Sequence, residues 1–402
     1  METVERYLLR KDEELKLLNG FLADPVKLRQ PRSVDEVIEQ KFHLAAALKA
    51  EHHLHDWALT ETAWTHSGRP KSGPFEFSYD YQRADLEVRG PSFYAVEKLA
   101  NATTIYTGSG MAAISTLLMA LRPTFSEADI ITLPNAYGET TELIEGHAKH
   151  LRRVEMAEPF ADIRGRVGSR PRILSFDSST SSKIFEALLK CARPLIDLIV
   201  FDTTCFSGGS GRICRVLNWA RSATIPVVLL RSHTKLDSLG IEYGRLGSAV
   251  FPNSPGFSER QKIFVQQLLT NTRDAIRLFG GAAVPAHFPP FVGNRVHRSL
   301  TSSRIAALLK NGRRMKSHFL ESVPGFAAEL EFAHGLYVTL TAALASTSST
   351  RPERPNCSSS DARRTPSIAT RIDSTRWRSV SASRSADRAL NLSPLRRRSR
   401  ES

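Results

Sequence analysis

The residue with the clearest chemical potential is Lys235, which follows the run Val227-Val-Leu-Leu-Arg-Ser-His-Thr. That run predicts a buried strand, and Lys235 would stand in a tight turn at its end. An ammonium at the end of a buried strand loses hydration, which favours the neutral amine. A neutral lysine amine attacks carbonyl carbons and forms Schiff bases. The pattern therefore indicates a lysine that holds an aldehyde, with a solvated loop lysine as the alternative.

A second apolar run ends in a carboxylate about thirty residues earlier. Leu195-Ile-Asp-Leu-Ile-Val-Phe-Asp-Thr-Thr lies between Pro194 and a Gly-Gly turn, which favours a parallel strand covered on both faces. Asp202 would stand at its C-terminal end, where open α/β sheets bind ligands. A carboxylate there suits the aldehyde cofactor pyridoxal 5'-phosphate (PLP), because it keeps the ring nitrogen protonated. A turn or helix-capping aspartate is the alternative.

A glycine-rich turn precedes an apolar helix in the first half of the chain. Thr103-Thr-Ile-Tyr-Thr predicts a strand, Gly108-Ser-Gly the turn, and the residues after Gly110 a helix. Backbone N–H groups at a helix start bind phosphate. The segment also fits a loose form of the dinucleotide-binding pattern, Gly-x-Gly-x-x-Ala, which requires a carboxylate at the end of the next strand. Asp129 comes before Ile130-Ile-Thr-Leu, so a single phosphate is favoured.

Together these segments resemble fold-type I PLP enzymes and, among them, the cystathionine γ-synthase / methionine γ-lyase family. The motifs are Gly108-Ser-Gly-Met-Ala-Ala-Ile, Asn135-Ala-Tyr-Gly-Glu-Thr, Phe201-Asp-Thr-Thr and Ser232-His-Thr-Lys, and the resemblance covers roughly residues 76 to 260. It implies a fold-type I PLP-dependent transferase fold, in which a mostly parallel central sheet flanked by helices precedes a small C-terminal domain. It also implies an amino-acid substrate and β/γ-elimination or replacement of the sulfur amino-acid type. A PLP-dependent aminotransferase and a catalytically impaired relic remain the alternatives.

The resemblance also implies the roles of individual residues. Lys235 would hold PLP and move protons at the substrate Cα, Asp202 would pair with the ring nitrogen, and Tyr137 would stack on the ring.

The remaining cofactor-binding residues would contact the phosphate. Those from the same chain are Ser109, Gly110, Met111, Ser232 and Thr234. Tyr81 and Arg83 would reach the phosphate of a neighbouring subunit, although the Asn-Pro-Thr that usually follows is missing. The resemblance therefore implies a homodimer or tetramer whose active sites are shared between subunits.

The chain departs from the family at two positions near the implied site. It reads Asp177-Ser-Ser-Thr-Ser-Ser where the family usually has Glu-Thr-Pro-Ser-Asn-Pro, so Ser181 replaces the asparagine near the cofactor's phenolic oxygen. After Lys235 it reads Leu-Asp-Ser-Leu-Gly. These departures indicate a divergent branch with altered cofactor tuning.

Length and composition fit such an enzyme. A chain of 402 residues with 41% hydrophobic residues buries a large core and normally forms two domains. The four cysteines lack metal-site spacing, and the histidines at 52, 53 and 55 favour a solvated helix face, so no metal is expected. With no membrane-length apolar run and no signal peptide, a cytoplasmic protein with no membrane partner is predicted.

The chain divides into four predicted segments. These are an N-terminal helical arm (1–75), a large PLP-binding α/β domain (76–300), the start of a small C-terminal domain (301–345) and a disordered Ser/Arg-rich tail (346–402). Ser33 predicts the start of a helix in the arm, and in the related family this arm embraces the partner subunit.

The tail has 13 Arg, five acidic residues and no Lys, so it contributes +8 of the formal net charge of +14. A frameshift is the favoured explanation, because the composition changes abruptly where a small domain should continue, and sequencing the gene would test it. A nucleic-acid-binding arm is the alternative. The tail also lacks a counterpart of the arginine that clamps the substrate carboxylate, so PLP binding with weak turnover is expected.

Overall fold

A computed structural model describes residues 2–54, 71–78, 87–99, 101–156, 163, 170–192, 194–254, 256–278, 287–322, 326–331, 337–342 and 371–372. The helices are α1 (Val4–Asn19), α2 (Val34–His52), α3 (Gly110–Thr124), α4 (Gly138–His147), α5 (Ser182–Leu189), α6 (Gly211–Ser222), α7 (Glu259–Leu278) and α8 (Arg295–Ser322). The strands are β1 (Lys71–Ser72), β2 (Phe75–Ser78), β3 (Glu87–Arg89), β4 (Thr103–Thr107), β5 (Ala128–Thr132), β6 (Leu151–Glu155), β7 (Arg172–Phe176), β8 (Leu198–Asp202), β9 (Val227–Ser232), β10 (Gly247–Phe251), β11 (Phe326–Glu331), β12 (Tyr337–Ala342) and β13 (Arg371–Ile372).

The central sheet of the described residues has seven strands in the order β4-β10-β9-β8-β7-β5-β6. Strand β10 pairs antiparallel with β4 and β9, whereas every other neighbouring pair is parallel. The carboxyl ends of the parallel strands therefore meet at one edge of the sheet. The predicted fold class, a mostly parallel central sheet flanked by helices, is confirmed.

Alternate residues of the central strands pack into two apolar cores, one on each face of the sheet. In β8, Ile199 and Phe201 join the core that α5 and α6 cover, while Leu198 and Val200 join the core beneath α3, α4 and α7. The near-continuous apolar runs read from the sequence follow from this two-sided burial. Fully burying one such side chain stabilises the fold by about 1.5–3 kcal/mol.

The N-terminal helices pack on their own chain. Leu18 of α1 and Leu44 of α2 are fully buried in a third core, which also contains Leu239 and Tyr243 from the segment after Lys235. The predicted cap at Ser33 is confirmed, because its Oγ accepts the N–H of Glu36 at 3.2 Å. These apolar faces are covered within the chain, and the predicted embrace of a partner stays a prediction.

The C-terminal part of the fold begins with α8, which crosses the domain boundary predicted at residue 300. It starts at Arg295, where the Asn294 side chain accepts the N–H of Val296 at 2.8 Å, and it ends at Ser322. Strands β11, β12 and β13 form a small antiparallel sheet. Arg371–Ile372 belongs to the tail predicted to be disordered, and the rest of that tail lies outside the described residues.

No helix in the described ranges is both long and apolar enough to cross a bilayer.

Candidate functional site

Four neighbouring parallel strands of the central sheet carry the candidate residues at their carboxyl ends. In sheet order, β9 ends at Ser232 and leads to Lys235, β8 ends at Asp202, β7 is followed by Asp177, and β5 leads to Tyr137. Adjacent strands lie about 4.8 Å apart, so the row spans roughly 15 Å. The fold therefore brings the predicted lysine and the predicted aspartate to neighbouring strand ends.

Asp202 is a partly buried carboxylate with a perturbed acidity. Its Oδ1 accepts the N–H of Thr204 at 2.8 Å. Burial raises its pKa to about 6, and the charge of Asp177 adds to the rise, while the hydrogen bonds from Thr204 and the charge of Arg231 oppose it. The group is mostly ionised at pH 7, and a nearby cation would stabilise it further.

Thr204 connects the carboxylate to the lysine turn. Its N–H donates to Asp202, and its hydroxyl oxygen accepts the N–H of Ser232 at 2.9 Å. The hydroxyls of Ser232 and Thr234 lie 3.0 Å apart at the start of the turn. Two predicted phosphate ligands are thus adjacent, and Thr204 is a connecting residue that the sequence interpretation missed.

Lys235 is exposed, and the expectation that its amine is desolvated by a buried strand is wrong for this chain. The strand ends at Ser232, and the turn carries Lys235 beyond the buried edge of the sheet. Buried Leu236 anchors the next position, and the Ser238 hydroxyl donates to the carbonyl of Thr234 at 3.1 Å. The amine is therefore accessible to an aldehyde on a firmly held turn.

The start of α3 lies directly against the lysine turn. A Cβ added to Gly110 would stand 2.7 Å from the Cβ of Ser232. A Cβ added to Gly247 of β10, which separates the two segments, would stand 2.2 Å from the carbonyl oxygen of Ser109. Both glycines are needed for this close approach, because a side chain at either position would push the helix start away.

The N-terminus of α3 also presents free backbone donors. Ser109 caps the helix, and its Oγ accepts the N–H of Ala112 at 3.0 Å. For the N–H groups of Gly110 and Met111, no acceptor is found within the described part of the chain. Such unpaired donors at a helix start suit an anion. The predicted phosphate site therefore has two donors here and two hydroxyls at the facing turn.

Tyr137 stands immediately before α4, and its backbone is held by Asp177. The N–H of Tyr137 donates to Asp177 Oδ2 at 2.8 Å, and the N–H of Ser179 donates to Oδ1 at 2.6 Å. Asp177 is a second carboxylate at a parallel strand end, like Asp202. The same sequence signal, a polar residue after an apolar run, could have assigned it to the site.

Other predicted or considered residues lie elsewhere or outside the described part. Tyr81 and Arg83 fall outside it. Ser181 caps α5 by accepting the N–H of Ile184 at 3.3 Å. His53 Nδ1 lies 3.1 Å from His287 Nε2. No cluster of three metal-binding side chains occurs among the described residues.

No protein-family model matches the chain, and no curated protein matches it. Among solved structures, an alanine aminotransferase from Pyrococcus furiosus is similar at 13% sequence identity and a TM-score of 0.42. The match covers 61% of this chain and 62% of that one. At this distance the likeness says nothing about activity.

Proposed function

We propose that this protein is a PLP-dependent enzyme that acts on an amino acid. The observation that carries the proposal is the pairing of Asp202 with the turn that bears Lys235. Asp202 ends β8, the turn follows the adjacent parallel strand β9, and Thr204 hydrogen bonds to both segments. PLP requires an amine for its aldehyde and a carboxylate for its ring nitrogen.

The phosphate of PLP fits the cradle between α3 and the lysine turn. The N–H groups of Gly110 and Met111 would donate to it from the helix start, and the hydroxyls of Ser232 and Thr234 would donate from the turn. The helix dipole favours a dianion at this place. Tyr137 is the aromatic residue proposed to cover the ring.

PLP, when bound, supplies an electron sink for a carbanion at the substrate Cα. Asp202 keeps the ring nitrogen protonated and is itself ionised at neutral pH. The amine of Lys235 takes the Cα proton and returns one, and its exposure gives a substrate access to it. Asp177 accepts a hydrogen bond from the backbone of Tyr137 and so would keep the tyrosine ring in position to cover the cofactor.

The reaction type rests on the resemblance. Sequence motifs favour elimination or replacement at Cβ or Cγ, whereas an aminotransferase shares the removal of the Cα proton. Ser181 stands where the resembling family has asparagine, and it is engaged as a helix cap. We propose elimination or replacement as the reaction and a homo-oligomer as the active form. We also propose that turnover is weak, because no counterpart of the arginine that binds the substrate carboxylate is found in the tail sequence.

A PLP titration followed by a panel of amino acids tests this proposal. A saturable visible absorbance is expected, and sulfur amino acids should change it. Elimination should release a side-chain thiol with ammonium and a 2-oxo acid, and replacement should exchange that group for an added thiol. Transfer of the amino group to an added 2-oxo acid, without loss of the side chain, would instead identify an aminotransferase. Binding with neither product would identify the relic, and a failure to bind PLP contradicts the whole proposal.

A further inference from the structure

Arg231 is a buried cation in an otherwise apolar strand. It lies in β9, its side chain is fully enclosed, and only 1% of the residue is exposed. A buried charge is strongly destabilising unless an opposite charge and hydrogen bonds compensate it. An arginine kept at such a place therefore needs a full set of partners.

The hydrogen bonds of Arg231 run in two opposite directions. One nitrogen, Nη1, donates to the carbonyl oxygens of Thr203 at 2.8 Å and Phe206 at 2.9 Å. The other two, Nε and Nη2, donate to Oδ2 and Oδ1 of Asp237 at 2.8 and 2.6 Å. The first two hydrogen bonds hold the loop that begins after Asp202, and the other two hold a side chain two residues beyond Lys235.

Asp237 and His233 complete a buried unit inside the lysine turn. Although burial raises it, Arg231 holds the pKa of Asp237 well below its ordinary value. Asp237 Oδ2 lies 2.8 Å from His233 Nδ1, and His233 Nε2 lies 2.9 Å from the Ser248 hydroxyl. A carboxylate only accepts, so Nδ1 carries the proton. Burial lowers the pKa of His233, so the ring is neutral and Nε2 accepts from Ser248.

We infer that Arg231 is a positioning residue that fixes the separation between Asp202 and Lys235. A guanidinium is planar and rigid, so its partners on the two segments are held at one spacing. The claim that this separation matters for PLP binding rests on the proposed function. The claim that Arg231 couples the two segments is independent of that function, because it follows from the hydrogen bonds alone.

Two variants and one control isolate this role. Arg231→Lys keeps the charge but loses the fork that reaches both segments. The double variant Arg231→Met with Asp237→Asn removes both charges and leaves an oxygen that accepts from His233, which protects the fold from an orphaned carboxylate. Arg172→Met removes another buried arginine at the opposite edge of the sheet, where its Nη1 donates to the carbonyl of Leu195 at 3.4 Å.

The first readout needs no cofactor. Amide hydrogen exchange is measured in the unliganded protein for residues 203–206 and 233–237. Both variants should accelerate exchange in the two segments together by about tenfold or more, because local opening becomes easier. Arg172→Met should leave both segments at their original rates relative to the rest of the sheet.

The second readout uses PLP and the folded variants. Arg231→Lys and the double variant should bind PLP about tenfold or more weakly and shift the pH dependence of its visible absorption, since small misplacements are costly in such sites. General destabilisation would not move that pH dependence, and Arg172→Met should preserve it.

The outcomes separate the two proposals. Faster exchange in only one segment, or equal effects of Arg172→Met, would overturn the positioning role. A wild-type protein that takes up no PLP would refute the proposed function, and the exchange result alone would then decide the role of Arg231.

Discussion

Gly110 at the start of α3 lies so close to Ser232 at the end of β9 that a Cβ on the glycine would stand 2.7 Å from the serine Cβ. Real Cβ atoms do not approach so closely, so any side chain at position 110 must displace the helix start or the turn. This contact closes the proposed phosphate cradle. It also makes Gly110 a position where a single methyl group tests the site.

Gly110→Ala should weaken PLP binding by about tenfold or more, because the helix N–H groups and the turn hydroxyls no longer converge. Absorbance titration with PLP measures the change. Gly138→Ala is the matched control, since Gly138 begins α4 and a Cβ there meets nothing within 4 Å. A folded Gly110→Ala protein that binds PLP as tightly as the wild type would contradict the cradle.

Asp202 should make the stability of the unliganded protein depend on pH. Its pKa is about 6 in the folded protein and near 3.8 ordinarily, so the folded state holds the proton more tightly. The contribution of Asp202 to the free energy of unfolding is therefore fully present below about pH 4 and is lost as the pH rises through 6.

Asp202→Asn removes this loss of stability. The variant should match the wild type at pH 4 and exceed it by roughly 2 kcal/mol at pH 8, as measured by urea unfolding. The same variant should lose most PLP affinity, because it no longer stabilises a protonated ring. A stability difference that does not vary with pH would show that the carboxylate is not perturbed by burial.

Asp177→Asn should act on the same titration. Removing its negative charge lowers the pKa of Asp202, so the midpoint of the pH-dependent stability should move to lower pH. Asp197→Asn serves as control, because Asp197 accepts the N–H of Arg172 at 2.8 Å at the other edge of the sheet. An unchanged midpoint in Asp177→Asn would mean that the two carboxylates do not interact.

Gly146→Ala should stabilise the protein without touching the site. Gly146 is exposed inside α4, and a Cβ there meets nothing within 4 Å. Gly146 lies in the last turn of α4, so its replacement by alanine should stabilise by at most the roughly 0.5–1 kcal/mol typical of a glycine in the middle of a helix. Thermal unfolding should show a higher Tm with unaltered PLP binding, and a lower Tm would contradict the prediction.

The strand ends of the site could be predicted from the sequence because parallel strands buried on both faces read as continuous apolar runs. The first polar residue after such a run marks the carboxyl end of the strand at Asp202, whereas in β9 the polar Arg231 comes one residue before the strand ends at Ser232. The order of strands in the sheet depends on contacts between distant segments, and no pattern in the sequence predicted it. The role of Gly247 could not be read for the same reason, since it depends on a helix start almost 140 positions away.

Two features show where local pattern is insufficient. The exposure of Lys235 depends on the direction in which a turn leaves the sheet, and hydrophobicity does not encode that direction. Arg231 did carry a signal, because a lone cation inside an apolar strand requires a buried counter-charge. The partner could not be chosen from sequence, although Asp237 is only six residues away.

Peptide mapping after borohydride reduction in the presence of PLP tests the central claim most directly. The account predicts a single phosphopyridoxyl group on the peptide that contains Lys235. The group should be absent in Lys235→Ala and retained in Lys262→Ala, a change at another exposed lysine. A reduced adduct on a different lysine, or one that persists in folded Lys235→Ala, would contradict it.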